Sequence, residues 1–335
     1  MGAASEIDAG SIADPGDFFS AVVERCAPIV LRGLCRAWPA SAAALRSPED
    51  LCSYLMRFEG GGTAQAFVGD PAIGGRYDYG DGADGFNFAR ETMTLSAALM
   101  RIAAAGQPGA PSIYLGSLPA DSLLPGFAAE NPLPILPGVE PRVWLGNASR
   151  VACHYDMFDN LACAVAGRRR FTLYPPGSIG NLYVGPIDHT MAGQPVALAV
   201  GAGVGDPRFP RFEAIRAQAL VAELEPGDAL YLPKLWWHQV EAEGSFNMLV
   251  NYWWDAFSAG PDAPYTTMML AMIAIAERPD VERAAWRAFF DHYVFRPDGH
   301  PLAHLPNDKH GVLGPLRSGN YGRIRAMVMR LLRGS

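Results

Sequence analysis

Residues 151–176 read VACHYDMFDNLACAVAGRRRFTLYPP, and the folding of this stretch decides the architecture. "NLACAVAG" (160–167) and "RRRFTLYPP" (168–176) are short runs rich in β-formers with a glycine between them. The pattern predicts consecutive strands with a tight turn at Gly167. Working upstream, "SIYLGSL" (112–118) is a strand, and "RVWLG" (142–146) and "RVACHYD" (150–156) form a strand pair across a Gly-Asn turn. Downstream, "ELEPGDALYLP" (223–233) is two strand pieces joined by Pro226 and Gly227 in a type II turn. Many short antiparallel strands predict a β barrel or sandwich.

The flanks differ. "APIVLRGLCRAWPA" (27–40) holds a short buried strand, and "SPEDLCSYLMRF" (47–58) opens a helix with Ser47 as N-cap and Pro48 in its first position. Residues 69–88 suit a long surface loop or irregular hairpin, and a helix is expected over about 95–105. Beyond Asp255 the pattern turns helical, in "PYTTMMLAMIAIAER" (264–278) and "PDVERAAWRAFFDHYVF" (279–295). Both are apolar enough to need burial on more than one side. Three regions are expected: 1–110 of mixed α/β structure packed on the barrel, a strand-rich core at 111–258, and a helical region at 259–335.

At 335 residues, half of them hydrophobic, the chain can bury a large core. A formal charge of −7 argues against a general binder of phosphate backbones, although residues 317–333 carry only basic charges. Five cysteines in apolar contexts, with no CxxC pair, signal neither a disulfide framework nor a zinc cluster and fit a reducing cytoplasm. No targeting leader is expected from "MGAASEIDAG", and "MMLAMIAIA" is too short to span a bilayer.

A histidine and an acid two residues apart on a strand project from one face, which lets His154 and Asp156 bind one ion together. His238, closing the strand that follows the Pro-Gly-Asp turn, is a third candidate. Two histidines and a carboxylate make a facial triad that leaves positions open for chemistry, where a structural zinc site would close its shell. The bland alternative is two buried histidines bonded to backbone and an aspartate in a turn. In "RRRFTLY" the period of two places Arg169 with Phe171 and Leu173 on the apolar face. A buried cation needs an anion, either a structural Asp or Glu or a ligand carboxylate. An offset in strand parity that turns Arg169 to solvent is the remaining option.

The motifs "HYDMFDN", "GRRRFTLYPP", "PGDALYLPKLWWHQV" and "VNYWW" give the chain a resemblance to the cupin-type, JmjC-related hydroxylases dependent on Fe(II) and 2-oxoglutarate, asparaginyl hydroxylases among them. It covers approximately Pro28 to Trp254. The resemblance implies a mainly β fold with flanking helices, a double-stranded β-helix or jelly roll. It also implies His154, Asp156 and His238 as iron ligands, and Tyr114, Asn160, Arg169 and Asn251 around metal and cosubstrate. Two positions depart from the asparaginyl hydroxylases: Arg169 stands where they have a lysine for the distal carboxylate, and Val151 where they have a threonine. Arginine grips a carboxylate bidentately but needs a reshaped pocket.

The implied reaction consumes O2 and 2-oxoglutarate, releases succinate, and hydroxylates a C–H bond of a protein side chain or small molecule. Relatives in this class also demethylate lysines or modify a tRNA base, and the acidic balance disfavours nucleic acid here. In relatives the C-terminal helices often mediate dimerisation, and the apolar helices after Pro264 are compatible with a homodimer contact, although packing onto their own barrel explains them equally well. Phe158, Trp236, Trp237, Trp253 and Trp254 are placed to wall the cavity, with a purely core role as the alternative. Two other classes stay open: a metal-binding cupin acting as a small-molecule sensor or isomerase, and a scaffold that has lost its cosubstrate.

Overall fold

The computed structural model of the protein describes residues 1–78, 80, 85–105, 109–188, 190, 193–258 and 260–334. Two compact units make up the chain, Met1–Ala256 and Phe257–Ser335.

Thirteen strands among the described residues build the first unit: β1 (Gly2–Ala3), β2 (Ser5–Asp8), β3 (Ile29–Arg32), β4 (Thr63–Gly69), β5 (Arg76–Tyr77), β6 (Phe88–Thr94), β7 (Ser112–Pro119), β8 (Pro141–Gly146), β9 (Ser149–His154), β10 (Asp159–Tyr174), β11 (Leu220–Leu224), β12 (Ala229–Leu232) and β13 (Trp237–Trp254). Pairing is mostly antiparallel, with parallel contacts confined to β1–β11, β2–β3 and β5–β9. Two long strands carry the design. The first half of β10 pairs with β12 and the second half of β13, while its second half pairs with β11 and the first half of β13. Both strands therefore pass from one layer to the other, with the register shifting between Ala164 and Arg168. One layer runs β2-β3-β12-β10-β13-β8-β7-β4-β6 and the other β1-β11-β10-β13-β9-β5. Mainly β, jelly-roll architecture follows, with helices on its flanks.

Gly167 is the corner. Its φ is +72°, and a Cβ there would lie 2.0 Å from Asn247 Oδ1, so only glycine allows the close crossing. The expected tight turn is thus a bend within one continuous strand, because each half finds its partner in a different layer. Likewise β8 and β9 do not pair across Gly146-Asn147: β8 lies between β13 and β7, β9 between β13 and β5. His238 opens β13 and does not close the preceding strand, since Pro233 to Trp236 interrupt the ladder. The Pro226-Gly227 turn matches expectation, with Gly227 at φ +101° and Asp228 N donating to Glu225 O at 3.0 Å.

Between the layers lie Ala162, Ala164, Phe171, Leu173, Leu224, Leu230, Leu232 and Leu249, all buried. The other face of the larger layer packs against α1 (Pro15–Ala21), α2 (Pro39–Arg46), α3 (Pro48–Met56) and α4 (Leu95–Ala104), with single-turn α5 (Ala120–Leu123) and α6 (Phe127–Glu130) beside them. Ser47 Oγ caps α3 by accepting from Asp50 N at 3.1 Å, and Thr94 caps α4 in the same way. The outer face of the smaller layer is covered by the segment after β10, which includes α7 (Glu213–Arg216). Part of the stretch 69–88 lies outside the described residues, and the rest is not all loop: Arg76 and Tyr77 add β5 to the smaller layer.

In the second unit, α8 (Pro264–Ile275), α9 (Asp280–Phe290) and α10 (Asn320–Arg333) follow. Neither α8 nor α9 buries a residue. The expected burial on several sides is not found, because the described residues of this unit do not enclose these apolar surfaces. The run of basic charges falls largely on α10, where Arg325 pairs with Asp262.

Candidate metal centre

His154 is the last residue of β9 and His238 the second of β13, and they face each other across the antiparallel ladder. Their ring centroids are 4.4 Å apart. Asp156 lies beyond the end of β9, not on it as the strand argument assumed. The backbone holds it in place, with Leu235 N donating to Asp156 O at 2.9 Å from a left-handed φ of +68°. Asp156 Oδ2 comes to 3.7 Å from His238 Nε2, and one ligand atom from each of the three residues lies within 4.8 Å of the others.

Each histidine uses the backbone carbonyl two residues upstream to set its tautomer. Nδ1 of His154 meets Ala152 O at 2.8 Å and Nδ1 of His238 meets Trp236 O at 2.9 Å. Since a carbonyl only accepts, both Nδ1 atoms carry hydrogen and both Nε2 lone pairs are free for a cation. Burial, reinforced by the neighbouring His154, pushes the His238 pKa down to about 4, so this ring is neutral and ready to ligate. A 2-His-1-carboxylate set of this kind suits a first-row metal with open positions.

The walls come from the inward faces of the larger layer. Asn251 Nδ2 donates to Asn160 Oδ1 at 3.2 Å, and Trp144 Nε1 donates to Asn251 Oδ1 at 2.7 Å. Tyr114 packs on Trp144, with ring centroids 5.8 Å apart. Its phenol is pushed up by burial, an effect opposed by the Arg169 charge and reinforced by Tyr77 and Asp156. Those mutual influences bring Tyr114, Arg169 and Asp156 into one electrostatic neighbourhood. Arg169 is 3% exposed and its Nε has no hydrogen-bond partner. Its strand neighbours point outward instead, in ion pairs Arg168–Glu225 and Arg170–Glu223. Among the described residues no carboxylate pairs with Arg169, and its burial excludes the solvent-facing option.

A family model for the cupin-like domain matches residues 15–260. The chain belongs to the cupin-like domain family. It is similar to the lysine-specific demethylase JMJ31 of Arabidopsis thaliana, at 32% identity over 34% of this chain and 20% of the relative. HSPB1-associated protein 1 of Homo sapiens is 30% identical over 48% of this chain and 32% of its own length. The tRNA wybutosine-synthesizing protein 5 of Gallus gallus is 30% identical over 30% and 29%. The chain thus spans a third or less of these relatives.

The cupin-like domain also uses residues that the sequence reading passed over. Asp159, buried beside the metal-centre strand, accepts from Tyr231 Oη at 3.0 Å and Ala256 N at 3.1 Å and pairs with Lys234; it ties down the strand ends. Tyr77 fills space next to Tyr114 and donates to Ser112 Oγ at 3.0 Å. Val151 pairs with Val240 and Tyr77 and brings no hydroxyl. Of the five aromatic candidates, Trp237 packs outward with Tyr155 and Trp254 with the helix-side core. Phe158 is half exposed, Trp236 is partly buried against the core between the layers, and Trp253 packs on Trp144. Among the described residues, no helix is long and apolar enough to cross a membrane.

Proposed function

We propose that this cupin-like domain is an Fe(II)- and 2-oxoglutarate-dependent oxygenase that hydroxylates a C–H bond, most simply in a protein side chain, and forms succinate. The observation that carries this reading is Arg169. A buried guanidinium that pairs with no carboxylate among the described residues implies a ligand anion, since an unpaired charge in a dry interior costs several kcal/mol. It shares the barrel with three ligands that leave a metal shell open.

In this reading His154, Asp156 and His238 hold Fe(II), which when bound activates oxygen against 2-oxoglutarate. Arg169, with Tyr114, grips the distal carboxylate of the cosubstrate. The Asn160–Asn251 pair orients polar groups beside the metal, and the apolar lining between the layers keeps water out. The reading places the chain in a reducing compartment such as the cytoplasm, with its cysteines as thiols. A second copy covers the uncharged helix α8.

Succinate formation from 2-oxoglutarate and oxygen by the iron-loaded protein is the test, with Asp156→Ala as control. Succinate that vanishes in the control supports the oxygenase. Failure to bind 2-oxoglutarate would sink it in favour of a metal-binding sensor or isomerase.

A further inference from the structure

The inward face of the larger layer carries a second arginine that the site above does not use. Arg142 alternates with Trp144 on β8, opposite Asn251, while Val143 and Leu145 face the helix-side core. Its guanidinium is half-buried and is gripped on one side only, Nε donating to Ser117 Oγ at 2.7 Å and Nη2 to Ser117 O at 2.5 Å. No carboxylate pairs with it among the described residues. It lies over Trp253, 5.5 Å from the ring centroid.

Trp253 adds a second unmet demand. Its Nε1–H is buried with no partner, a situation that costs about 1–3 kcal/mol and that native proteins rarely leave unexplained. Ser117, which holds Arg142, sits at φ +55°, a left-handed backbone unusual for serine and of the kind that persists where surrounding structure exploits it. One unsatisfied indole N–H, a guanidinium bonded along one edge only and an anchor in a left-handed backbone therefore lie on neighbouring side chains.

These side chains lie at the metal end of the barrel. Both β10 and β13 cross between layers near Gly167, so Arg169, two residues past the bend, is at the cornered end. His238 and Trp253, at opposite termini of β13, are at the other. Trp253 packs on Trp144 at 6.0 Å, and Trp144 is bonded to the Asn251–Asn160 pair.

We infer that Arg142 and the Trp253 indole N–H form a recognition site for a carboxylate of the substrate. The inference rests on the oxygenase reading, in which one cosubstrate carboxylate goes to the metal and the other to Arg169, so an anion at Arg142 belongs to the molecule being oxidised. One guanidinium edge and one N–H match the two oxygens of a planar carboxylate. A lone arginine in a chain of net charge −7 is a poor match for a polyphosphate backbone. The substrate class is thus an acidic side chain or a small acid, and Ser117 is a positioning residue.

The test uses full-length protein loaded with Mn(II) and 2-oxoglutarate under nitrogen, with paramagnetic broadening of probe proton signals as the readout. The probes are N-acetyl-aspartyl amide, its asparaginyl counterpart and uridine 5′-monophosphate. The aspartyl probe is expected to bind more tightly than the asparaginyl one. Arg142→Gln should weaken the aspartyl probe by about tenfold and erase that preference. Trp253→Phe, which keeps the ring stack and loses the N–H, should weaken it by about fivefold. Ser117→Gly should weaken it by about threefold without lowering Mn(II) affinity. No aspartyl preference in the parent, a preference that survives Arg142→Gln, or tighter binding of the nucleotide overturns the inference. Parent protein that binds neither Mn(II) nor 2-oxoglutarate overturns the oxygenase reading beneath it, a separate result because it is measured before any probe is added.

Discussion

His154 and His238 each commit one ring nitrogen to the carbonyl two residues upstream, and this local bond makes the pair a preorganised ligand set. A histidine pair oriented in this way loses most of its affinity with either member. His154→Ala is expected to lower Mn(II) affinity by about a hundredfold or more, read by calorimetry, on the scale of losing a ligand and not merely its supporting bond. Arg169 acts on a different molecule. Arg169→Gln removes the charge but keeps a polar group, and should weaken 2-oxoglutarate binding by about 10- to 100-fold while leaving Mn(II) affinity within about twofold. Equal losses of both would show that Arg169 supports the barrel and not the cosubstrate. The residue types and the strand parity made an inward Arg169 readable beforehand as one option; that no carboxylate of the described residues pairs with it was not readable, because that depends on strands distant in sequence that pack around it.

Among the elements, β10 and β13 matter most, since each belongs to both layers. Their bend requires glycine at 167, where the backbone is left-handed and a methyl group would overlap the Asn247 side chain. Gly167→Ala is therefore expected to destabilise the protein by about 2 kcal/mol or more in urea unfolding; a loss under about 0.5 kcal/mol would mean that the corner is loose. A milder effect is expected at α3, where Ser47→Ala removes one cap hydrogen bond and about 1 kcal/mol. Strand existence was legible from alternation and β-branched or aromatic content. Strand partners were not. The Gly-Asn and Gly167 junctions have hairpin chemistry, yet both join strands of different layers, because pairing is decided by which edge each half meets after the bend.

For the whole molecule, burial of phenols sets the response to alkali. Tyr77 and Tyr174 are pushed up to about 12, mainly by burial, and Tyr231 and Tyr252 higher still. Between pH 10 and 12 the unfolded chain gives up protons that the folded chain keeps, so stability is full below pH 10 and falls as pH rises. Tyrosinate absorbance should accordingly lag, with these phenols ionising only as circular dichroism reports unfolding. Ionisation of all twelve tyrosines near pH 10 with the fold intact would contradict the burial described. At the same scale, the uncovered α8 predicts self-association. Ile273, 82% exposed, changed to Glu should shift the protein toward monomer in light scattering; a parent that is already monomeric would refute the second copy as the cover.

The amino-acid order determined the β class, the helix caps and the three metal-ligand candidates, because periodicity, capping chemistry and the types of ligand side chain are properties of near neighbours. It also marked Arg169 as a candidate for the inward face, since parity along one strand needs no partner, while an offset parity that turns it to solvent was excluded only by its burial in the fold. Only the tertiary structure decided that Asp156 reaches the site from beyond its strand and that β8 and β9 belong to different layers. The same is true of the meeting of Arg142, Ser117 and Trp253. These depend on contacts between residues far apart in the chain, and such contacts are set by how two bent strands stack and not by any local pattern.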